Sequence, residues 1–347
     1  MSSEERRRDP GAPLRIGDLP LRIGVSSCLL GERVRWDGGH KRDAFLAGEL
    51  APFVEWVPVC PELELGMGVP REPIRLVGRA GGARARAPGG ARAAGAHPRL
   101  VGERNGRDWS GPMRAWARRR VRALAALGLC GYVLKQGSPS CGLERVAVWS
   151  AAGRAARRGR GLFAEALLEG LPLLPVEEER RLADPCVRDH WLERIFAQRR
   201  LRAFFAGRWS RAGLAAFHGA HELQLLAHSP RHLAELARLA AGDPALGRAA
   251  LRARYEAGFA AALRVPATPR RHARALRHAA ERLRSGLDPR EQRALAARIA
   301  DHGRGELPLR APLACVRAHA ARLGIEALGG QLYLAPSAAE RTLRKLG

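Results

Sequence analysis

Lysine is nearly missing from this chain of 347 residues. Only Lys41, Lys135 and Lys345 occur, so 57 of the 60 basic residues are arginine. The formal net charge of +26 therefore reads first as a bias toward arginine, alanine and glycine along the whole chain, and only second as a phosphate-binding face. RNA meeting a basic helical surface stays open as a partner. Long apolar runs are lacking too. No stretch approaches the ~20 residues that a bilayer-spanning helix needs, so no membrane partner is expected. The opening MSSEERRRDPGAP holds no apolar stretch of the secretory kind, and a cytoplasmic location is the expectation. Cysteine is too sparse and scattered, six in all, to frame a small secreted scaffold. In a reducing compartment such thiols serve metals or catalysis more often than cross-links. The sequence leaves the oligomeric state open.

What is present is an ordered alternation. RIGVSSC (22–28), WVPVC (56–60) and GYVLKQ (131–136) read as strands, with VAVWS and LPLLPVE as further β runs. Between them, residues 43–52 read as a helix with Asp43 as N-cap. Residues 109–128 read as a helix with Ser110 as N-cap and Gly128 near its end, and LFAEALLEG as another. Strand, helix, strand, helix predicts an α/β domain with a Rossmann-like parallel sheet at about 20–180. Residues 78–100 are low in complexity and read as an excursion that builds no packed element. From about 187 onward the period is helical throughout, with breaks at Ser229-Pro230, Gly242-Asp243-Pro244, Thr268-Pro269, Asp288-Pro289 and Ser337. A helical linker and a smaller all-α domain at 205–347 follow from that.

Three cysteines sit where predicted parallel strands run out: Cys28, Cys60 and Cys141, the last in the loop GSPSCG. Ligands of open α/β sheets bind beyond the carboxyl ends of the strands. Three thiolates there describe a metal or cluster site with one position left for chemistry, and the residues alone allow zinc or iron–sulfur equally. Cys130, Cys186 and Cys315 read as small buried hydrophobes. Gly66, Gly68, Gly137 and Gly142 read as turn glycines that let the backbone come close to the site.

The segments SSCLLGERVRWDGGHK, VCPELELGMGVPREPIRL and LKQGSPSCGLERV together resemble the thiouracil desulfidase family. FHGAHELQLLAHSP and the later GQLYLAP resemble the YbgA-like helical domain often fused to it. The resemblance implies a 4Fe-4S cluster held by Cys28, Cys60 and Cys141, with the fourth iron facing substrate. It implies hydrolytic removal of sulfur from a thiolated pyrimidine or its nucleotide, with thiouracil and, in salvage, 4-thiouridine monophosphate as substrates. The products would be the oxo base and hydrosulfide. The family's catalytic carboxylate corresponds to Glu62 and its serine to Ser138, with Ser140 as second candidate. Asp37, Lys41, Arg71 and Lys135 are candidates for orienting the base or an anionic substituent. The alternative is an RNA-binding or regulatory protein with a structural cluster or zinc.

In the helical half, His218, His221 and His228 are spaced to share one helical face, with Glu222 following. A His/Glu metal site completed by His272 or His278 can be drawn there. Histidines hydrogen-bonded in a helix interface are the competing reading.

Overall fold

The computed structural model describes residues 21–78, 98–150, 153–242 and 246–345, with only the backbone of Arg157. It divides into two units, Leu21–Trp191 and from Leu192 onward. In the first, β1 (Arg22–Ser26), β2 (Glu55–Val59), β3 (Ile74–Val77), β4 (Arg99–Gly102), β5 (Gly131–Leu134), β6 (Val146–Trp149), β7 (Ala155–Gly159) and β8 (Val176–Glu178) make two four-stranded sheets. One has the order β2-β1-β5-β8 and every neighbour is parallel, with Ile23 opposite both Trp56 and Gly131. Its central strand β5 is buried throughout, as a parallel strand covered on both faces must be. Helices α1 (Pro61–Glu64), α2 (Ser110–Ala126) and α3 (Leu162–Gly170) belong to the same unit.

The core joins both sheets to α2 and α3. Tyr132 of β5, fully buried, meets Phe163 of α3 edge-on at 5.8 Å, and Trp116 of α2 tilts against the same ring at 5.5 Å. Gly24 of β1 makes room for this: a Cβ there would stand 2.1 Å from the Tyr132 ring.

The second sheet, β4-β3-β6-β7, was not anticipated. Only β3 and β6 run parallel in it; the outer pairs are antiparallel. VAVWS is β6 of this sheet, and β4 begins inside the stretch expected to build nothing, because Leu100 and Val101 bury their side chains. The rest of that stretch, 79–97, lies outside the described residues. Two other expectations change. Ser110 is the first residue of α2 rather than its cap: its hydroxyl accepts the Leu100 N–H at 2.7 Å, and Asp108 takes the Ser110 N–H at 2.8 Å. The segment expected as a helix over 43–52 is a π-helical turn (Phe45–Leu50) closed by a 3-10 turn, since Pro52 has no N–H to extend an α-helix. Asp43 still accepts from the Leu46 N–H at 3.0 Å.

Helix α4 (Pro185–Ala206) occupies the stretch expected as a linker and crosses the division. The second unit continues with α5 (Arg211–Ala220), α6 (Glu222–His228), α7 (Pro230–Ala241), α8 (Arg248–Arg264), α9 (Pro269–Leu283), α10 (Pro289–Arg304), α11 (Arg310–Arg322), α12 (Glu326–Gly329) and α13 (Ala338–Arg344). Ser229, Thr268, Asp288 and Ser337 cap α7, α9, α10 and α13, and in the first three a proline opens the helix, where its missing N–H costs nothing. Among the described residues no strand occurs in this unit, and no helix of the chain is long and apolar enough to cross a membrane.

Candidate active site at the carboxyl edge of the parallel sheet

The strand order reverses around β1: β2 lies on one side of it and β5 on the other. At such a point the connections leave in opposite directions and open a crevice beyond the strand ends. Cys28 lies there in a 3-10 turn directly after β1, with its carbonyl accepting the Lys41 N–H at 2.9 Å. Cys60 follows β2 as the residue before α1, and its thiol points to the Val34 carbonyl at 3.7 Å. Cys141 is reached from β5 through a loop turned by Gly137, whose φ is 73°. The Ser138 hydroxyl oxygen shapes that loop by accepting the N–H groups of Ser140 (3.2 Å) and Cys141 (3.1 Å). The three sulfur-bearing residues line one cavity of about 530 Å³ together with Glu62, Arg71, Lys135 and Ser138.

Burial pushes the Cys28 thiol up to about 11, with Lys135 opposing and Cys60 reinforcing. Burial also raises Cys60, and raises Cys141 well above the usual range. The Ser26 hydroxyl opposes that last shift, while Glu62, Cys28 and Cys60 add to it. The thiols thus feel one another, and their ionised form needs positive charge inside the cavity. Among the described residues no three His, Cys, Asp or Glu side chains are gathered to hold a single metal ion. A 4Fe-4S cluster takes each thiolate on a separate iron and so asks for sulfurs spread around a chamber, not for convergence on one point. Donor set and chamber fit that group.

Glu62 is clamped. Its Oε2 accepts from Arg71 Nε (3.0 Å) and the Nη2 nitrogen of Arg71 (2.5 Å), and its Oε1 from the Ser140 hydroxyl (2.9 Å). Arg71 also donates to the carbonyls of Gly68 (2.8 Å) and Val34 (3.0 Å). Ser140, fully buried, stands behind Glu62 and does not line the cavity; Ser138 does. Lys135 pairs with Glu179 and donates to the Gln136 carbonyl at 3.0 Å. Arg71 and Lys135, expected as anion binders, thus each already face a carboxylate. Asp37 and Lys41 are not brought to the cavity wall. Asp37 is exposed, and hydrogen bonds from the Arg35 side chain and the Gly39 N–H hold its carboxyl below the usual range. Lys41 touches the site only through its backbone. Sequence reasoning missed Trp36 and Gln136, which line the cavity, and Glu179 behind them. The signal available for Glu179 was the acidic run Glu177-Glu178-Glu179 at the end of β8.

Residues 23–179 match the family model of 2-thiouracil desulfurase, and residues 222–337 that of a protein family of unknown function, DUF1722. The uncharacterized protein YbgA of Escherichia coli K12 is 32% identical over 152 residues, 42% of this chain and 86% of that protein. The chain belongs with YbgA, and carries a 2-thiouracil desulfurase domain followed by a DUF1722 domain. A solved structure titled as a 4Fe-4S-dependent thiouracil desulfidase, TudS, is 28% identical, covers 47% of this chain and 93% of its own, and superposes with a TM-score of 0.35.

The helical unit does not bring these histidines into a ligand set. The helix breaks at His221, between α5 and α6, so His218, His221 and His228 share no continuous face. Each has a partner of its own: His218 the Tyr255 hydroxyl (3.2 Å), His221 the Gln224 amide oxygen (2.7 Å), and His228 the Val265 carbonyl (2.6 Å). His272 meets the Tyr333 hydroxyl (2.9 Å) and His278 meets Glu222 (3.1 Å). Of the cysteines set aside, Cys130 is buried as expected, but Cys186 is exposed and Cys315 half-buried.

Proposed function

We propose that the desulfurase-family half catalyses hydrolytic desulfuration of a thiolated pyrimidine, with Cys28, Cys60 and Cys141 holding a 4Fe-4S cluster. The observation that carries this reading is the cavity itself: three thiols, a fixed carboxylate and a serine hydroxyl share one wall. A cluster held there would supply an open iron as Lewis acid for the soft thiocarbonyl sulfur.

The chain's own residues supply the rest. A carboxylate oxygen has two lone pairs. Both contacts of Arg71 fall on Glu62 Oε2, and Oε1 accepts only from Ser140. One acceptor position on Oε1 is left to take a proton from water as that water adds to the thiocarbonyl carbon. The carbon–sulfur bond then breaks, a C=O forms, and sulfur leaves as hydrosulfide. One water proton goes with the hydrosulfide and the other passes through Glu62 to solvent, so no electron donor is needed. Ser138 accepts two backbone N–H groups and keeps its own O–H to donate to the ring. Free thiols of this kind suit a reducing compartment.

Anaerobic reconstitution tests the reading. The loaded protein is expected to contain iron and acid-labile sulfide and to release hydrosulfide from 2-thiouracil or 4-thiouridine monophosphate. Cys28→Ala should lose cluster and turnover together. A loaded protein that releases no sulfide from either substrate would refute it.

A further inference from the structure

Trp36 is 42% exposed, the largest exposure of any large apolar side chain among the described residues, yet its backbone is held on both sides. Its carbonyl accepts the Arg71 N–H at 3.0 Å. Before it, the Val34 carbonyl takes Arg71 Nη2 and the Cys60 thiol. After it, the Gly38 N–H reaches the Arg35 carbonyl at 3.0 Å, and the Arg35 N–H reaches Gly39 at 3.3 Å. A loop tied this closely does not present an indole to water by accident of flexibility. Gln136 shows the same pattern on the same cavity wall. Its N–H goes to Glu179 at 2.7 Å and its carbonyl accepts from Lys135 at 3.0 Å, while its side-chain amide makes no hydrogen bond among the described residues.

Among the described residues no cation of the cavity wall is left over to select an anion. The three cations that line the cavity, Arg35, Arg71 and Lys135, are matched by Asp37, Glu62 and Glu179. Recognition then falls on the face and the edge of a neutral ring. A pyrimidine thione has a flat π-face, and its edge sets an N–H beside a C=O or C=S. Aromatic side chains stack on such faces, and a primary amide offers the complementary acceptor and donor to such an edge.

We propose that Trp36 stacks on the pyrimidine ring and that the Gln136 amide reads its N–H/C=O edge, making these two the specificity-determining residues of the site. The proposal rests on the functional reading above, which supplies the thione as ligand.

Equilibrium dialysis of 2-thiouracil against anaerobic, cluster-loaded protein tests it, beside steady-state sulfide release. Trp36→Ala and Trp36→Leu should each weaken binding about tenfold or more, and Trp36→Phe should stay within about threefold of wild type. Gln136→Leu should weaken binding about tenfold, and methylation at ring nitrogen N3 should cost the wild type as much while costing Gln136→Leu nothing further. The visible absorption of the cluster should be unchanged in every variant. If Trp36→Leu binds as well as Trp36→Phe, or wild type tolerates the N3-methyl group, the proposal falls. Binding that shows these dependences without sulfide release would remove the functional reading and leave recognition standing. Sulfide release indifferent to Trp36→Ala and Gln136→Leu would do the reverse.

Discussion

Both units hold a glutamate gripped by an arginine, yet one grip faces a chamber and the other faces inward. In the α/β unit, Glu62 is pinned by Arg71 and Ser140 and still lines the cavity. In the helical unit, Glu193 takes the Gln224 amide at 2.8 Å, Arg344 at 3.2 Å and His228 at 3.2 Å, and is only 3% exposed. Arg344 also meets Glu340 (3.2 Å), which Arg200 holds from its other side at 2.7 Å. Every charge in that second network is closed on another charge. The contrast teaches that a clamped carboxylate can serve a site when its spare acceptor position opens on a cavity, and serves the core when the whole group is closed inside the protein.

Substituting the two glutamates separates these roles. Glu62→Gln keeps the size and the Ser140 contact but removes the proposed base, so turnover should fall about 10²–10⁴-fold while iron and sulfide content stay constant. An unchanged rate would show that Glu62 is not the base. Glu193→Ala should act on folding instead. Breaking a buried ion pair by removing one partner costs about 3–5 kcal/mol, because Arg344 loses one of its two buried carboxylates and Gln224 and His228 lose the oxygen they face. Denaturant unfolding followed through the helical unit would measure it, and a loss below about 1 kcal/mol would sink the comparison.

The α/β fold and its cysteine-bearing strand ends were legible because parallel strands buried on both faces read as short apolar runs, as GYVL and RIGVS do. The second sheet was not: β3 is four residues long, and β4 emerges from a compositionally featureless stretch. The motif pointed to Glu62 but could not say which serine faced the cavity, because Ser138 and Ser140 differ only in how the loop turns. Asp37, Lys41, Arg71 and Lys135 were chosen by charge, and charge says nothing of partners: the carboxylates that match Arg71 and Lys135 are nine and 44 residues away in sequence. In the helical half, periodicity placed three histidines on one face because it could not see the break at His221.

The closed network also predicts a pH response. Burial pushes the His272 imidazole from 6.5 down to about 4, with Glu193 opposing. Between those values the unfolded chain binds a proton that the folded chain does not, so stability rises with pH across this window and is lost on acidification. His272 alone accounts for up to about 3 kcal/mol of that loss. Burial lowers His218 and His221 in the same direction. Glu193 adds to it further down. Burial would raise its carboxyl, but Arg344 and His228 outweigh that and hold it well below the ordinary range, so its contribution vanishes only as pH falls through that low value. Thermal unfolding from pH 7 to pH 4 should show a steadily falling midpoint; a flat profile would contradict the buried neutral state of His272.

The smallest effect belongs to a charged residue beside the cavity that does not line it. Asp37 holds Arg35 through contacts of 3.3 and 3.2 Å and accepts the Gly39 N–H at 3.0 Å, all of them exposed to water. Exposed pairs contribute little, because solvent screens them and long side chains lose freedom in forming them. The amide of Asn still accepts the Gly39 N–H and so keeps the turn that presents Trp36. Asp37→Asn should therefore change sulfide release from 2-thiouracil less than about twofold. What it removes is the charge that neutralises Arg35. If a phosphate-bearing substrate gained markedly in the variant while the free base did not, Arg35 would be a cation that Asp37 keeps from anions, and the selectivity of the cavity for neutral rings would be traced to that one pair.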